Sequence, residues 1–284
     1  MKERFIDWKP TKASRERLFV IEDILAEYGD IRLTLRQLYY RLVSSNAIGN
    51  TVREYKKLGN LLSKARLAGL VDWDVIEDRV RQASHAAEWS TAAEYCDPTQ
   101  FRLPRWEGQP EYVELWCEKD AISSVLEPIT RDLHCVLMVN RGYSSSSAMY
   151  DSHNRIQRNA DGRPAHILYL GDFDPSGEDM VRDIRDRMST FGIEVEVMKL
   201  ALNPDQVKRW KLPPNPAKVS DSRAAGFIGR YGSKSYEVDA IPPKDLQKMV
   251  RDAIIGHMDM GTYRETIEKE KSIKEEIAEA VAGI

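Results

Sequence analysis

The chain has 284 residues, 42 basic against 45 acidic, for a formal net charge of −3, so no overall basic excess announces nucleic acid. Hydrophobic residues make up 42% of it, with six Trp and twelve Tyr, enough for one or two packed cores and too much for wholesale disorder. Cys96, Cys117 and Cys135 show no CxxC or His-rich spacing, which argues against a disulfide scaffold and a structural zinc site and for a reducing, cytoplasmic setting; no apolar run approaches the ~18 residues of a membrane span.

The N-terminal part, residues 1–96, reads as helical. Leu18, Ile21, Ile24 and Leu25 form the apolar face of a first helix. Thr34 and Gln37 make a T-x-x-Q capping box that starts a second, and Thr51 with Glu54 starts a third. Gly69 to Trp73 is expected to be a turn leading into a β wing. Three short helices and a wing, the third helix basic, describe a winged-helix domain.

In the second helix Leu35, Leu38, Tyr39 and Leu42 share one face, and Tyr40 points about 150° away from its centre. Arg36 lies one turn earlier on the same side. Tyr39 is therefore expected in the core and Tyr40 at the surface beside an arginine, unless Tyr40 merely covers neighbouring apolar surface. Charge is locally one-sided. From Ile31 to Arg66 eight basic residues face a single acid, Glu54. The third helix buries Tyr55, Leu58, Leu62 and Ala65 and presents Arg53, Lys56, Lys57, Asn60 and Lys64. Such a face is either solvated or a phosphate contact, and its single sign favours double-stranded DNA.

Residues 97–111 contain three prolines and read as a linker. Residues 112–284 then alternate. Strands are predicted at Tyr112–Cys117, Cys135–Asn140, His166–Gly171 and Glu194–Leu202. Helices are predicted at Asp120–Leu133, Ser145–Asn159 and Gly177–Phe191, after Asn203-Pro204, and after Pro242-Pro243. This is the pattern of an α/β fold with a parallel, Rossmann-like sheet covered on both faces. The Glu/Lys mixture from Tyr263 to Ile284 reads as a solvated C-terminal helix.

Glu118-Lys119-Asp120 follows the first of these strands, and Asp172-Phe173-Asp174-Pro175-Ser176-Gly177 follows the third. Open parallel sheets carry their sites outside the carboxyl ends of the strands. If the two strands are neighbours, Glu118, Asp172 and Asp174 converge, and Mg²⁺ is the natural countercharge. The plainer reading is that Asp174 caps a helix begun by Pro175. Glu237 and Asp239 form a second acidic pair, read as an exposed loop or cap rather than as ligands.

These motifs, with Arg36-Gln37-Leu38-Tyr39-Tyr40 ahead of them and Gly142-Tyr143 after the second strand, resemble the superfamily of topoisomerase VI A subunits and meiotic double-strand-break transesterases. Those proteins join a winged helix to a Toprim domain. Gln37 stands where that family carries an acidic residue, and Ser144-Ser145 where it carries Pro-Asp. The resemblance implies Tyr40 as nucleophile, Arg36 as its electrostatic helper, and Glu118, Asp172 and Asp174 as Mg²⁺ ligands. It further implies a homodimer cutting double-stranded DNA, with a separate ATPase subunit as a possible partner and no membrane. The compact form also resembles plasmid and phage homologues and the nuclease subunits of plasmid-defence complexes. Hydrolysis by metal-bound water, or a DNA-binding subunit with a vestigial site, are the alternatives to transesterification.

Overall fold

The computed structural model describes residues 2–29, 31–77, 89–140, 144, 146–216 and 223–282. It is an α/β protein with a four-stranded, all-parallel, Rossmann-like sheet and many helices. In chain order the elements are α1 (Lys12–Tyr28), β1 (Leu33–Thr34), α2 (Leu35–Ser44), α3 (Val52–Leu67), β2 (Ile76–Glu77) and α4 (Ala92–Tyr95). Then come β3 (Tyr112–Cys117), α5 (Ser123–Asp132), β4 (Val136–Val139), α6 (Ser146–Ala160), β5 (Ala165–Leu170), α7 (Pro175–Thr190) and β6 (Glu196–Ala201). The chain continues through α8 (Pro204–Arg209), β7 (Asn215–Pro216), α9 (Ala224–Tyr231), β8 (Lys234–Ser235), α10 (Pro243–Ile255) and α11 (Met260–Val281).

The large sheet has the order β4-β3-β5-β6. The strands ending in the two acidic motifs are therefore neighbours, with Cys117 level with Leu170. All six residues of β3 are buried, as expected for a central strand covered on both faces. The one carboxylate inside it is fully satisfied. Glu114 accepts from Tyr112 Oη (2.9 Å), Trp116 Nε1 (2.8 Å) and both Nε and Nη2 of Arg155 (2.9 and 2.8 Å). A buried charge needs such pairing to be tolerated.

Both helix starts read from the first part of the sequence are present. Thr34 and Gln37 form the reciprocal box, and Thr51 Oγ1 accepts from the Glu54 amide. The expected wing differs. Among the described residues, the chain after α3 turns at Gly69 and pairs Ile76–Glu77 in parallel with Leu33–Thr34 instead of forming a hairpin. Arg66 holds this path by stacking 4.4 Å from the Trp73 ring and donating to its carbonyl (2.9 Å). Residues 78–88 lie outside the described part.

The proline-rich stretch 97–111 carries only a 3₁₀ turn, yet it is packed. Arg105 pairs with Glu270 of α11 (2.8 Å), Trp106 donates to the Leu133 carbonyl (3.1 Å), and Gln109 bonds Asp259 twice. One hydrophobic core runs through both halves, from Leu18 and Leu38 to Leu168 and Val250. Cys96 is exposed, Cys117 and Cys135 are buried, and none of the three is in a disulfide among the described residues. Among the described residues no helix is long and apolar enough to cross a membrane. Because the Thr34 box starts the helix carrying Tyr40, Thr34→Ala is expected to cost about 1 kcal/mol by chemical denaturation. An unchanged midpoint would show that tertiary packing alone holds that end.

Candidate active site

The loops after β3 and β5 are tied together by backbone as well as by register. The Glu118 amide donates to the Leu170 carbonyl (2.9 Å), and the Asp172 amide donates to Glu118 Oε2 (3.1 Å). Tyr169 Oη lies 3.4 Å from the same Oε2. Asp172 is buried and accepts from the Val238 amide through Oδ1 (2.9 Å). Asp174 caps α7, its Oδ1 accepting from the Gly177 amide (2.7 Å) and Ser176 Oγ (2.9 Å). Gly177 is required there: a Cβ would sit 2.1 Å from the Asp172 carbonyl oxygen. The Asp-x-Asp-Pro-x-Gly pattern thus encodes a close approach that folds Asp172 back over the start of α7.

Glu237 and Asp239 are not the exposed loop expected from the sequence. Asp239 is 1% exposed, and both acids enter the site. An antiparallel bridge pins their segment, Phe173 and Tyr236 exchanging backbone bonds of 2.9 and 3.0 Å. The 3₁₀ turn Val238–Ala240 then lies against α2, where Arg41 donates to the Ala240 carbonyl. No local signal marks this pair, because its cationic partners, Lys119 and Arg36, lie more than a hundred residues away in sequence.

Lys119 is the centre of the cluster. Its ammonium is 2.9 Å from Asp172 Oδ2, 3.4 Å from Asp239 Oδ1, and in contact with Glu237 Oε2. Arg36 closes the other side, 2.7 Å from Glu237 Oε2 and 2.9 Å from Asp239 Oδ2. Burial works against the charge on both cations, but the surrounding acids outweigh it and hold them firmly protonated. Asp172 is pushed up to about 7, first by burial and then by Glu118, Glu237 and Asp239, against the pull of Lys119. Glu237 moves the other way, since Lys119 and Arg36 overcome its burial.

Tyr40 departs from the expected surface position: it is 3% exposed. The Tyr39 and Tyr40 rings pack edge to face with centroids 5.4 Å apart, and only their hydroxyls part company. Tyr39 Oη donates to Asn50 Oδ1 (2.9 Å), whereas Tyr40 Oη faces Arg36 (3.3 Å) and Asn215 (3.5 Å). The side opposite the core is not solvent, however, because β7 and the 237–240 segment cover it. Burial, with Asp239 and Glu237 nearby, pushes the Tyr40 hydroxyl up to about 12 despite Arg36. Both resolved side-chain bonds at its oxygen are donated to it, from Arg36 and Asn215.

Asp172, Glu237 and Asp239 surround Lys119 and Arg36, with Glu118 joined to Asp172 through its amide and Asp174 at the start of α7, so acids outnumber the two cations. All donors are oxygens, which suits Mg²⁺ rather than a softer ion. Among the described residues no three of these carboxylates bring ligand oxygens within 4.8 Å of one another. Mg²⁺ does not demand that, since it keeps several waters and uses one or two carboxylates with substrate phosphates. Glu118 and Asp172 stand together at the ends of adjacent strands, joined through the Asp172 amide, whereas Asp174 is turned to the helix cap.

Arg53, Lys56, Lys57, Asn60 and Lys64 are all exposed on α3, with Lys57 drawn to Glu54 at 2.7 Å. A cleft of about 620 Å³ beside Arg36 and Asp120 is lined by the other face of α3, Tyr55, Gly59, Leu62 and Arg66. At about 100° per residue the basic stripe looks away from that cleft. Gly142 and Tyr143 lie outside the described residues. No model of a known protein family matches the chain, and no curated protein matches it either.

The Tyr40 shift has a definite sign. Below pH ~10, the ordinary tyrosine value, the hydroxyl is protonated both folded and unfolded. Above it the unfolded chain loses the proton while folded Tyr40 keeps it, so stability falls as pH rises toward about 12. Tyr40→Phe is expected to lose less stability than wild type between pH 10 and 12 in denaturant titrations. Parallel losses in the two proteins would contradict the buried geometry.

Proposed function

We propose that the protein is a Mg²⁺-dependent enzyme that cleaves double-stranded DNA, built as a winged-helix and Toprim pair and acting as a homodimer. The observation that carries this reading is the meeting of Glu118 and Asp172 at the carboxyl ends of adjacent parallel strands, inside a cluster with surplus negative charge. The exposed cationic stripe of α3 supports a phosphate partner, and the motif order supports the superfamily named above.

Glu118 and Asp172 would hold the ion, with Glu237 and Asp239 keeping Lys119 and Arg36 charged and oriented beside it. Mg²⁺ supplies polarisation of the phosphoryl oxygen when bound. Lys119 and Arg36 would stabilise charge that builds on the non-bridging oxygens during in-line attack.

Hydrolysis by water is the leading chemistry. A buried hydroxyl held near 12 is a poor source of phenolate at neutral pH. Transesterification is the second reading, favoured by the Arg36 guanidinium 3.3 Å from Tyr40 Oη. In that reaction Tyr40 Oη would bond to phosphorus, the bond to one sugar oxygen would break, and that oxygen would take up a proton.

Supercoiled plasmid with Mg²⁺ tests both. Asp172→Asn and Glu118→Gln are each expected to reduce cutting by ~10²-fold or more while sparing metal-free DNA binding. Lys56→Glu with Lys64→Glu is expected to weaken duplex binding and flatten its salt dependence. Tyr40→Phe keeps cutting if water attacks, and loses both cutting and protein-linked DNA ends if tyrosine does. Full-rate cutting by the Asp172→Asn variant would sink the site assignment.

A further inference from the structure

A second cluster lies at the opposite, amino end of the sheet and belongs to neither reading above. Glu111 directly precedes β3, His166 is the second residue of β5, and His257 sits in the turn between α10 and α11. β3 is six residues long, so the two ends of the sheet are roughly 17 Å apart. Glu111, His166 and His257 each bring one ligand atom within 4.8 Å of the others. Their rings and carboxylate are largely buried but not sealed: His166 is 12% exposed, His257 18% and Glu111 35% at the side chain. A small ion has a way in.

The geometry around His166 is what makes this arrangement informative. Nδ1 is 3.3 Å from Glu196 Oε2, and Nε2 is 3.3 Å from Glu111 Oε2. A neutral imidazole carries one proton and serves one acceptor. Nε2 is the nitrogen left buried with no hydrogen-bond partner. Glu111 Oε2 is already engaged by His257 Nδ1 at 2.6 Å. Nε2 therefore points at a carboxylate oxygen without a hydrogen bond to it, and an ion between the two would join them. The His257 ring centroid lies 4.6 Å from that of His166, so both imidazoles stand beside the Glu111 carboxylate. A metal ion satisfies all three groups at once.

We propose that Glu111, His166 and His257 form a binding site for a divalent transition-metal ion of the zinc class. Two imidazoles and one carboxylate, with a fourth position left to water, is a nitrogen-rich donor set that suits Zn²⁺ or Co²⁺ and not Mg²⁺. Glu196 is the outer carboxylate that orients a ligating histidine. The ion would tie the α10–α11 turn to the edge of the sheet, beside the Gln109–Asp259 contacts that already dock it. The absence of a local His or Cys motif is no obstacle, because the fold assembles the ligands from three distant segments. This inference stands whether or not the carboxylate cluster cuts DNA.

The full chain, stripped with a chelator and held in excess Mg²⁺ to occupy the oxygen-rich cluster, is titrated with Zn²⁺ by calorimetry and thermal melting. One tight equivalent is expected, with a melting temperature that rises with zinc concentration. Co²⁺ should give the visible absorption of a tetrahedral, nitrogen-ligated ion. His257→Ala should abolish that spectrum, Glu111→Gln should weaken Zn²⁺ binding at least ~10-fold, and Glu196→Gln by roughly 10-fold. Glu111→Gln is nearly isosteric and serves if His257→Ala fails to fold. No zinc-dependent shift in the wild type overturns the proposal. So does a shift of equal size in the Glu111→Gln variant, which would assign the binding to other residues.

Discussion

One ammonium group organises the carboxyl end of this molecule. Lys119 stands among Asp172, Glu237 and Asp239, and without it three half-buried or buried carboxylates would repel one another in a low-dielectric setting. Removing one partner from such a set commonly costs 3–5 kcal/mol, because the remaining charges stay buried and unpaired. The consequences spread outward. Lys119 draws the 237–239 segment against the sheet, that segment engages Arg36, and Arg36 fixes α2 with its tyrosines. The N-terminal helices are therefore joined to the sheet through charge as well as through the continuous apolar core.

The sheet carries different chemistry at its two ends. The carboxyl end collects carboxylates, supplied by the short loops after β3 and β5 and by the 237–239 segment. The amino end collects two imidazoles with carboxylates, supplied by strand starts and a helix–helix turn. Hard and borderline cations prefer these donor sets respectively, so one fold separates them by donor chemistry and distance. Parallel strand order makes this possible, since every loop of one kind emerges on the same side.

Much of the scaffold was legible in the residues themselves. Tyr112–Cys117 reads as a strand because five of its six residues are apolar or aromatic, Glu114 being the exception, and the observed strand has those bounds. Thr34-x-x-Gln37 and Asp174-Pro175 read as helix starts because their side chains meet orphan amides a few residues on. What was not legible depends on distance in sequence. The periodicity of α2 sets the Tyr40 hydroxyl apart from that of Tyr39, but it says nothing of the chain that returns some two hundred residues later to cover it, and both tyrosines are buried. Glu237 and Asp239 looked like a loop for the same reason. The path of the chain after α3 was not legible because the pairing between Leu33–Thr34 and Ile76–Glu77 is non-local, whereas a turn is read locally.

The Val238 amide that holds Asp172 and the acids that flank Arg36 belong to one short piece of backbone, and that piece also helps to cover Tyr40. Withdrawing it to uncover the tyrosine would release the aspartate in the same motion. Within a single copy, then, an available Tyr40 and an ordered Asp172 form an interlock: each state is built from the dismantling of the other.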